Sequence, residues 1–332
     1  MKAIFFGKGL SILLFAWLLL AGCESNPSID SYDRNAAITD IYVDISSLSL
    51  EVGASQNITF WPLPANADIM KLAWTSADPA VATVDRWGRV TAVKAGTTAL
   101  TVSSGTVSKT VSMTVTNPPT VPLTASWSFD DPSNLAKADV IDGKQGTPMG
   151  LIGNIVPIDG PSATDKAIRI AAGGANYLKV FHGIPFPQGK DYVEDWSILI
   201  VFRLPDLNGW HTILQTDITP AGDADFFIRD NGLIGVGTLG YVGPQPIEAG
   251  KWYHLILSRK GSSKTFYSYV NGKTYHDNVQ TDASRFNLLE AFLVSQDEDG
   301  EDQAIEIAEI AVWDQLLTES QAYAVELTLQ SR

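Results

Sequence analysis

Cysteine occurs once in the sequence, at position 23, so no disulfide framework can staple this chain. Histidine is nearly as scarce: four residues, the first at 182 and the last at 276, leave little for a zinc site. Charged side chains make up only 18%, which argues against a coiled coil or a solvated low-complexity tail. A membrane-length apolar run is also missing, since the extended one over residues 10–20 is too short to span a bilayer comfortably. What the sequence has instead is 45% hydrophobic residues punctuated by 27 Gly and 17 Pro, the composition of short strands joined by tight turns. Its 332 residues suit two domains, each with enough chain to bury a core.

The net charge of −14 is unevenly placed. Residues 1–36 carry 3 basic and 3 acidic side chains and residues 37–117 carry 5 and 6, whereas residues 118–332 carry 15 and 28, so the last segment alone holds −13. A domain of that sign repels phosphate backbones and anionic lipid, which excludes nucleic acid as an expected partner. Neutral ligands and divalent cations remain.

Lys2 and Lys8 precede the apolar run, the pattern of a secretory signal absent from the mature fold. The run ends in Leu20-Ala21-Gly22-Cys23, which resembles the bacterial lipobox. That resemblance implies cleavage before Cys23, lipidation of its thiol, and a protein held at the bacterial cell envelope, on the outer-membrane surface, touching the membrane through its lipid alone. Residues 1–22 are thus a signal peptide, and residues 23–36, rich in Asn, Ser and Asp, a flexible tether.

From 37 to 117 the chain alternates in short β-rich runs, the pattern of a small β-sandwich. The stretch Trp74-Thr75-Ser76-Ala77-Asp78-Pro79, followed by Val81, Val84, Gly88-Arg89-Val90-Thr91 and Gly96-Thr97-Thr98-Ala99-Leu100, resembles the bacterial Ig-like group 2 family. Trp74, Val81, Val84, Val90 and Leu100 are the expected core, and Gly88 marks a turn that needs positive φ. The resemblance implies a spacer. Trp87 stands in that turn where a polar residue is expected. Residues 118–123, with Pro118, Pro119 and Pro122, form a stiff linker.

Residues 124–332 read again as strands, over 167–170, 196–204, 211–215, 226–229, 252–259, 265–270, 291–294 and 305–313. Asn231-Gly232 and Asn271-Gly272 are hairpin signals. The run Trp196-Ser197-Ile198-Leu199-Ile200-Val201-Phe202 is apolar on both parities, as a strand covered on both faces should be, and is placed centrally in a sandwich. Thr318-Glu319-Ser320-Gln321 has capping-box form and opens a short helix. Trp127-Ser128-Phe129-Asp130-Asp131, Gly250-Lys251-Trp252-Tyr253-His254, the Asn271-Gly272 hairpin and the acidic turn ahead of Ile307-Ala308-Glu309-Ile310 together resemble the laminin G-like branch of the concanavalin A-like lectin/glucanase superfamily. The fold class expected is therefore all-β: an Ig-like sandwich followed by a two-sheet jelly roll, whose concave face or loop rim the resemblance implies as a sugar site, sometimes with calcium.

Glucanases of that superfamily carry catalytic acids on one strand face, about 5.5 Å apart for retaining chemistry. The comparable run here is Glu306-Ile307-Ala308-Glu309, whose carboxylates stand three apart and on a regular strand face opposite sides. No enzymatic activity is expected. The turn Asp297-Glu298-Asp299-Gly300-Glu301-Asp302 supplies the oxygens a hard cation wants, so a structural calcium ion is assigned to Asp297, Asp299 and Glu301, with Asp130 joining if the terminal strands pair.

Sugars need aromatic platforms beside planar hydrogen-bonding groups. Trp74, Trp127, Trp196, Trp252 and Trp313 fall within strand patterns and read as core. Trp210 and Tyr241 lie in Gly-flanked loops and are the ligand candidates, with Arg229 and His211 as polar companions. The function expected is a lipid-anchored surface protein whose second domain binds extracellular glycan. The alternatives are an adhesive or structural role through protein contacts and, with the least support, a glycoside hydrolase.

Overall fold

The computed structural model describes residues 36–219, 223–282 and 285–331. Cys23, the signal segment and nearly all of the tether lie outside the described residues. The chain divides into two compact units: up to Ser49, Ser55–Thr91 and Thr97–Thr114 in the first, and Val115 onward with Leu50–Ala54 and Ala92–Gly96 in the second. The all-β expectation holds, and among the described residues no helix is long and apolar enough to cross a membrane.

The Ig-like region contains β1 (Asp40–Val43), β2 (Ser47–Glu51), β3 (Ser55–Asn57), β4 (Phe60–Leu63), β5 (Ala73–Ser76), β6 (Ala82–Val84), β7 (Arg89–Ala92), β8 (Gly96–Ser104) and β9 (Val107–Thr116). They form sheets in the orders β2-β9-β8-β5 and β3-β7-β6, with β1 paired to β4. Period-two alternation decides which side chains go inside: along β9, Val111, Met113 and Val115 are buried while their neighbours face solvent. Trp74, Val81, Val90 and Leu100 are buried as expected. Val84 is only half-buried, because β6 ends at it. Gly88 has φ +80, and a Cβ there would stand 2.7 Å from the Ile58 carbonyl oxygen, so only glycine fits. Trp87 beside it is 60% exposed, with the Arg86 guanidinium 4.8 Å over its ring.

The second domain continues with β10 (Ala125–Trp127), β11 (Val140–Ile141), β12 (Lys144–Gln145), β13 (Gly150–Ile152), β14 (Ile155–Asp159), β15 (Lys166–Ile170), β16 (Tyr177–Val180), β17 (Trp196–Arg203) and β18 (His211–Leu214). After these come β19 (Phe226–Ile228), β20 (Ile234–Val236), β21 (Gly240–Val242), β22 (Trp252–Lys260), β23 (Thr265–Val270), β24 (Lys273–Gln280), β25 (Phe292–Val294), β26 (Ile305–Trp313) and the helix α1 (Glu319–Gln330). A large sheet runs β14-β15-β26-β17-β22-β23-β24, with β10 also on β26. Facing it are β13-β16-β25 and β18-β19-β20-β21, joined by the bridge between Gln215 and Leu293. The sandwich core between the two layers includes Trp127, Trp196, Phe202, Phe226, Phe266 and Phe292.

β17 is central, as its sequence required. Ile198, Ile200 and Phe202 face the second sheet, whereas Leu199 and Val201 face a separate apolar cluster with Trp313, Leu317 and Ala322 under α1. The helix that covers this back face starts on the expected cap: Thr318 Oγ1 accepts the Gln321 N–H at 3.3 Å, and Gln321 Oε1 accepts the Thr318 N–H at 2.9 Å. The Asn271-Gly272 turn closes the β23–β24 hairpin with positive φ at both positions, 48 and 70.

Ile200→Ala removes a side chain with no exposed surface and is expected to lower the stability of this domain by about 2–5 kcal/mol. Thr318→Ala removes only the cap and is expected to cost about 1 kcal/mol. Urea unfolding followed by tryptophan fluorescence measures both, and equal midpoints for the two variants would contradict the central placement of β17.

Candidate functional site

The outer face of the second sheet gathers three of the residues chosen from sequence. Strand alternation turns Phe226, Ile228 and the cross-strand partner of Ile228, His211, toward the sandwich core. The intervening residues Phe227, Arg229 and Trp210 then lie on the opposite face. Tyr241 joins them from β21, where it pairs with Gly235, itself the partner of Phe227. Gly235 presents no side chain between the two aromatics, and a Cβ there would meet the Gly240 carbonyl oxygen at 2.0 Å.

Into the space so left the aromatic rings close edge to face. Trp210 lies 5.5 Å from Tyr241 at 78° and 5.7 Å from Phe227 at 76°. The Arg229 guanidinium carbon sits 4.9 Å over the Trp210 ring and 5.0 Å over that of Tyr241. Each such cation–π contact contributes about 0.5–2 kcal/mol depending on desolvation. Tyr241 is therefore a strand residue and not a loop residue, and one face of each candidate ring is already taken by Arg229. All three side chains are half-buried.

The acidic turn lies beside this cluster, a juxtaposition with no sequence signal. Gln303 N–H donates to the Trp210 carbonyl at 3.1 Å, Thr212 Oγ1 donates to the Glu301 carbonyl at 3.0 Å, and Ala224 N–H donates to Asp297 Oδ1 at 3.1 Å. These bonds fasten residues 297–303 along β18 and the start of β19. Carboxylate oxygens of Asp297, Asp299 and Glu301 come within 4.8 Å of one another. Calcium–oxygen bonds of about 2.3–2.6 Å can bridge that spacing, so the donor set fits a hard cation. Burial pushes the Glu301 carboxyl up to about 6, with Asp299, Asp297 and Asp223 adding repulsion and Arg229 opposing it. The Asp297–Asp299 pair divides its charge: burial works against ionising Asp297, but hydrogen bonds from the Asp299 side chain and from the N–H groups of Ala224, Asp299 and Glu301 hold it below the usual carboxylate range. Asp299 is raised by that same hydrogen bond and by the charge of Asp297.

Other sequence-based assignments are corrected. His211 is fully buried, because its partner Ile228 faces the core, and burial pushes its pKa down, so it is a neutral core residue and not a companion to the ligand. Asp130 is not among the clustered acids. The terminal strands β10 and β26 do pair, but Asp130 accepts the Lys166 N–H at 3.2 Å at one end of β15, while the acidic turn leaves β26 at the other end, where Ile305 pairs with Ile170. Trp252 is half-buried, packed at the margin of the back-face cluster and not inside it.

The parity argument for Glu306 and Glu309 also fails. Opposite β17, Phe202 pairs with Ile307 and Val201 with Glu309, so Ala308 is an extra residue in a bulge. Ile305, Ile307, Ile310 and Val312 face the sandwich core, and the bulge places both glutamates on the back face. Glu306 is held there by Arg169, at 2.5 and 2.8 Å, and by Arg203.

Comparison with known proteins agrees with this architecture. Residues 37–115 match the bacterial Ig-like domain (group 2) family, and residues 182–322 match the concanavalin A-like lectin/glucanases superfamily. A polysaccharide lyase 8 family protein, HylA of Enterococcus faecalis, is 34% identical over 92 residues, which are 26% of this chain and 7% of that relative. Domain 4 of AbnA, a GH43 extracellular arabinanase from Geobacillus stearothermophilus, solved with arabinotriose, aligns at 18% identity over 63% of this chain and 100% of that one, with a TM-score of 0.44. The botulinum neurotoxin serotype D binding domain aligns at 13% identity over 62% of this chain and 52% of that one, also with a TM-score of 0.44. The chain carries a bacterial Ig-like domain of group 2 followed by a domain of the concanavalin A-like lectin/glucanases superfamily.

Proposed function

We propose that the second domain binds extracellular carbohydrate on the outer face of its second sheet, and that the Ig-like domain is a spacer without a part in binding. The observation that carries this reading is the Arg229 guanidinium packed against both Trp210 and Tyr241 beside three carboxylates. Ring surface for sugar C–H groups, a donor for hydroxyls and acceptors for hydroxyls meet in one place. This reading takes the domain as a binding module and not a glycanase, in keeping with the engagement of Glu306, the buried acid of the strand pair, by Arg169 and Arg203.

An array of the neutral glycans arabinan, galactan and β-glucan tests the reading directly. Trp210→Ala is expected to weaken binding of the retained glycan at least about tenfold, roughly 1.4 kcal/mol, at a temperature where the variant remains folded. No retention on the array, or full retention by the Trp210→Ala, Tyr241→Ala double variant, would remove it.

Calcium at Asp297, Asp299 and Glu301 belongs to the same reading, as a structural ion bracing the turn beside the sugar site. Its binding is expected to raise the melting temperature, because an ion that binds only the folded state stabilises it by mass action. In a chelator the pH dependence has a definite sign. Glu301 has a folded pKa of about 6, above its usual 4.5, so its ionisation opposes folding. Stability is greatest below the lower value, declines as pH rises to the higher one, and stays reduced beyond it. Differential scanning fluorimetry with calcium and with chelator measures both effects. Coincident curves would exclude the ion, and Glu301→Gln is expected to flatten the decline.

We further propose that Cys23 anchors the protein through lipid at the bacterial outer-membrane surface. Cys23→Ala is expected to move it from the detergent phase to the aqueous phase in phase partitioning; unchanged partitioning would sink this proposal.

A further inference from the structure

A cleft of about 580 Å³ opens where β22 begins and the β23–β24 hairpin turns. Trp252, Tyr275, Gln245, Asn271, Lys251 and Lys273 line it, and Trp210, Arg229, Tyr241 and the acidic turn do not. One wall is the 244–248 segment. Pro244 and Pro246 restrict its backbone, the Tyr275 hydroxyl donates to the Gln245 carbonyl, and the Glu248 N–H donates to the Tyr253 hydroxyl at 3.0 Å. Two tyrosines of the sheet therefore hold the wall in place.

The charge of this cleft runs against that of its domain. Residues 118–332 hold −13, yet the charged side chains lining the cleft are two lysines and one glutamate. Lys251 is engaged by that glutamate, Glu248, at 2.8 Å. Lys273 donates to the amide oxygen of Gln245 at 3.1 Å and has no carboxylate partner among the described residues. Asn271 Oδ1 accepts the His254 N–H at 2.9 Å, which leaves the NH2 end of that amide to donate to a ligand. Trp252 carries a further cation, the Arg203 guanidinium, 4.7 Å over its ring.

The geometry points to a second carbohydrate site in this cleft, one that takes sugars bearing a carboxylate. Lys273 receives the carboxylate and Lys251 adds attraction. Trp252 and Tyr275 supply aromatic surface for the sugar ring, and Asn271 and Gln245 reach its hydroxyls. The site shares with the proposed function its ligand class alone, and none of its residues.

The probe is a short oligogalacturonate, with its methyl-esterified counterpart as the same sugar without charge, titrated calorimetrically into the full chain. The acid form is expected to bind at least tenfold more tightly than the ester and to weaken as salt is raised. Lys273→Glu, a change at an exposed side chain, is expected to weaken binding at least tenfold with the melting temperature held, and Lys251→Gln to weaken it less. Trp210→Ala is expected to leave this binding unchanged. Absence of binding, equal affinity for acid and ester, or indifference to Lys273→Glu would overturn the inference. Loss on Trp210→Ala with retention in Lys273→Glu would overturn it too, while leaving the outer-face site standing.

Discussion

The second domain is organised around one strand that has no solvent side. β17 lies between β26 and β22, with four residues, Trp196, Ile198, Ile200 and Phe202, directed into the sandwich and two into the cluster beneath α1. Each fully buried aliphatic or aromatic side chain of this kind contributes about 1.5–3 kcal/mol of transfer free energy, so one strand ties together both sheets and the helix. Even its polar residue serves that end. Ser197, fully buried, accepts the Leu317 N–H at 2.8 Å and donates to the Gln315 carbonyl at 2.8 Å, which fixes the turn that launches α1 over the back face. His254 and Glu326, 2.7 Å apart, hold the helix farther along.

The Ala308 bulge governs the other consequence of that packing. It reverses the parity of β26 partway along, so apolar residues return to the core while two acids appear on the same outer side. The pairing then places Arg169, Glu306, Arg203 and Trp252 in one row across β15, β26, β17 and β22. Glu306 at the centre of the row is 2% exposed; Arg169 donates to one of its carboxylate oxygens and Arg203 to the other, so removing either arginine would strip a buried oxygen of its donor. A row that begins as an ion-pair network ends at an aromatic ring on the edge of a cleft.

Much of this was legible in the sequence where local pattern and tertiary environment agree. The two-parity hydrophobicity of residues 196–202 announced a doubly covered strand, the Thr318-Gln321 pair announced the helix start, and Asn271-Gly272 announced the hairpin. The short strands β13, β16, β20 and β21 were not legible, because three or four residues carry too little periodicity to register. Trp210 and Tyr241 were found through their residue types and flanking glycines, and Arg229 as a polar side chain following the Phe226-Phe227-Ile228 strand. That they meet depends on the successive pairing of β18, β19, β20 and β21, and that the acidic turn lies beside them depends on a contact 89 residues apart, from Thr212 to Glu301. His211 misled because a polar residue beside a loop tryptophan reads as surface, whereas its partner Ile228 faces inward. The Glu306–Glu309 pair misled because a bulge leaves no mark in a residue pattern.

The placement of Arg229 has a thermodynamic side. A free arginine on a protein surface loses about 2 kcal/mol of rotamer entropy when a ligand immobilises it. Here the guanidinium is already confined between two rings, and those rings are confined by Phe227 and by the backbone bond to Trp210. A ligand meeting this group encounters donors whose directions were set during folding, so little ordering remains for the moment of association. For the carbohydrate ligand proposed above, selectivity would then rest on donors that have little freedom to reorient toward hydroxyls placed elsewhere.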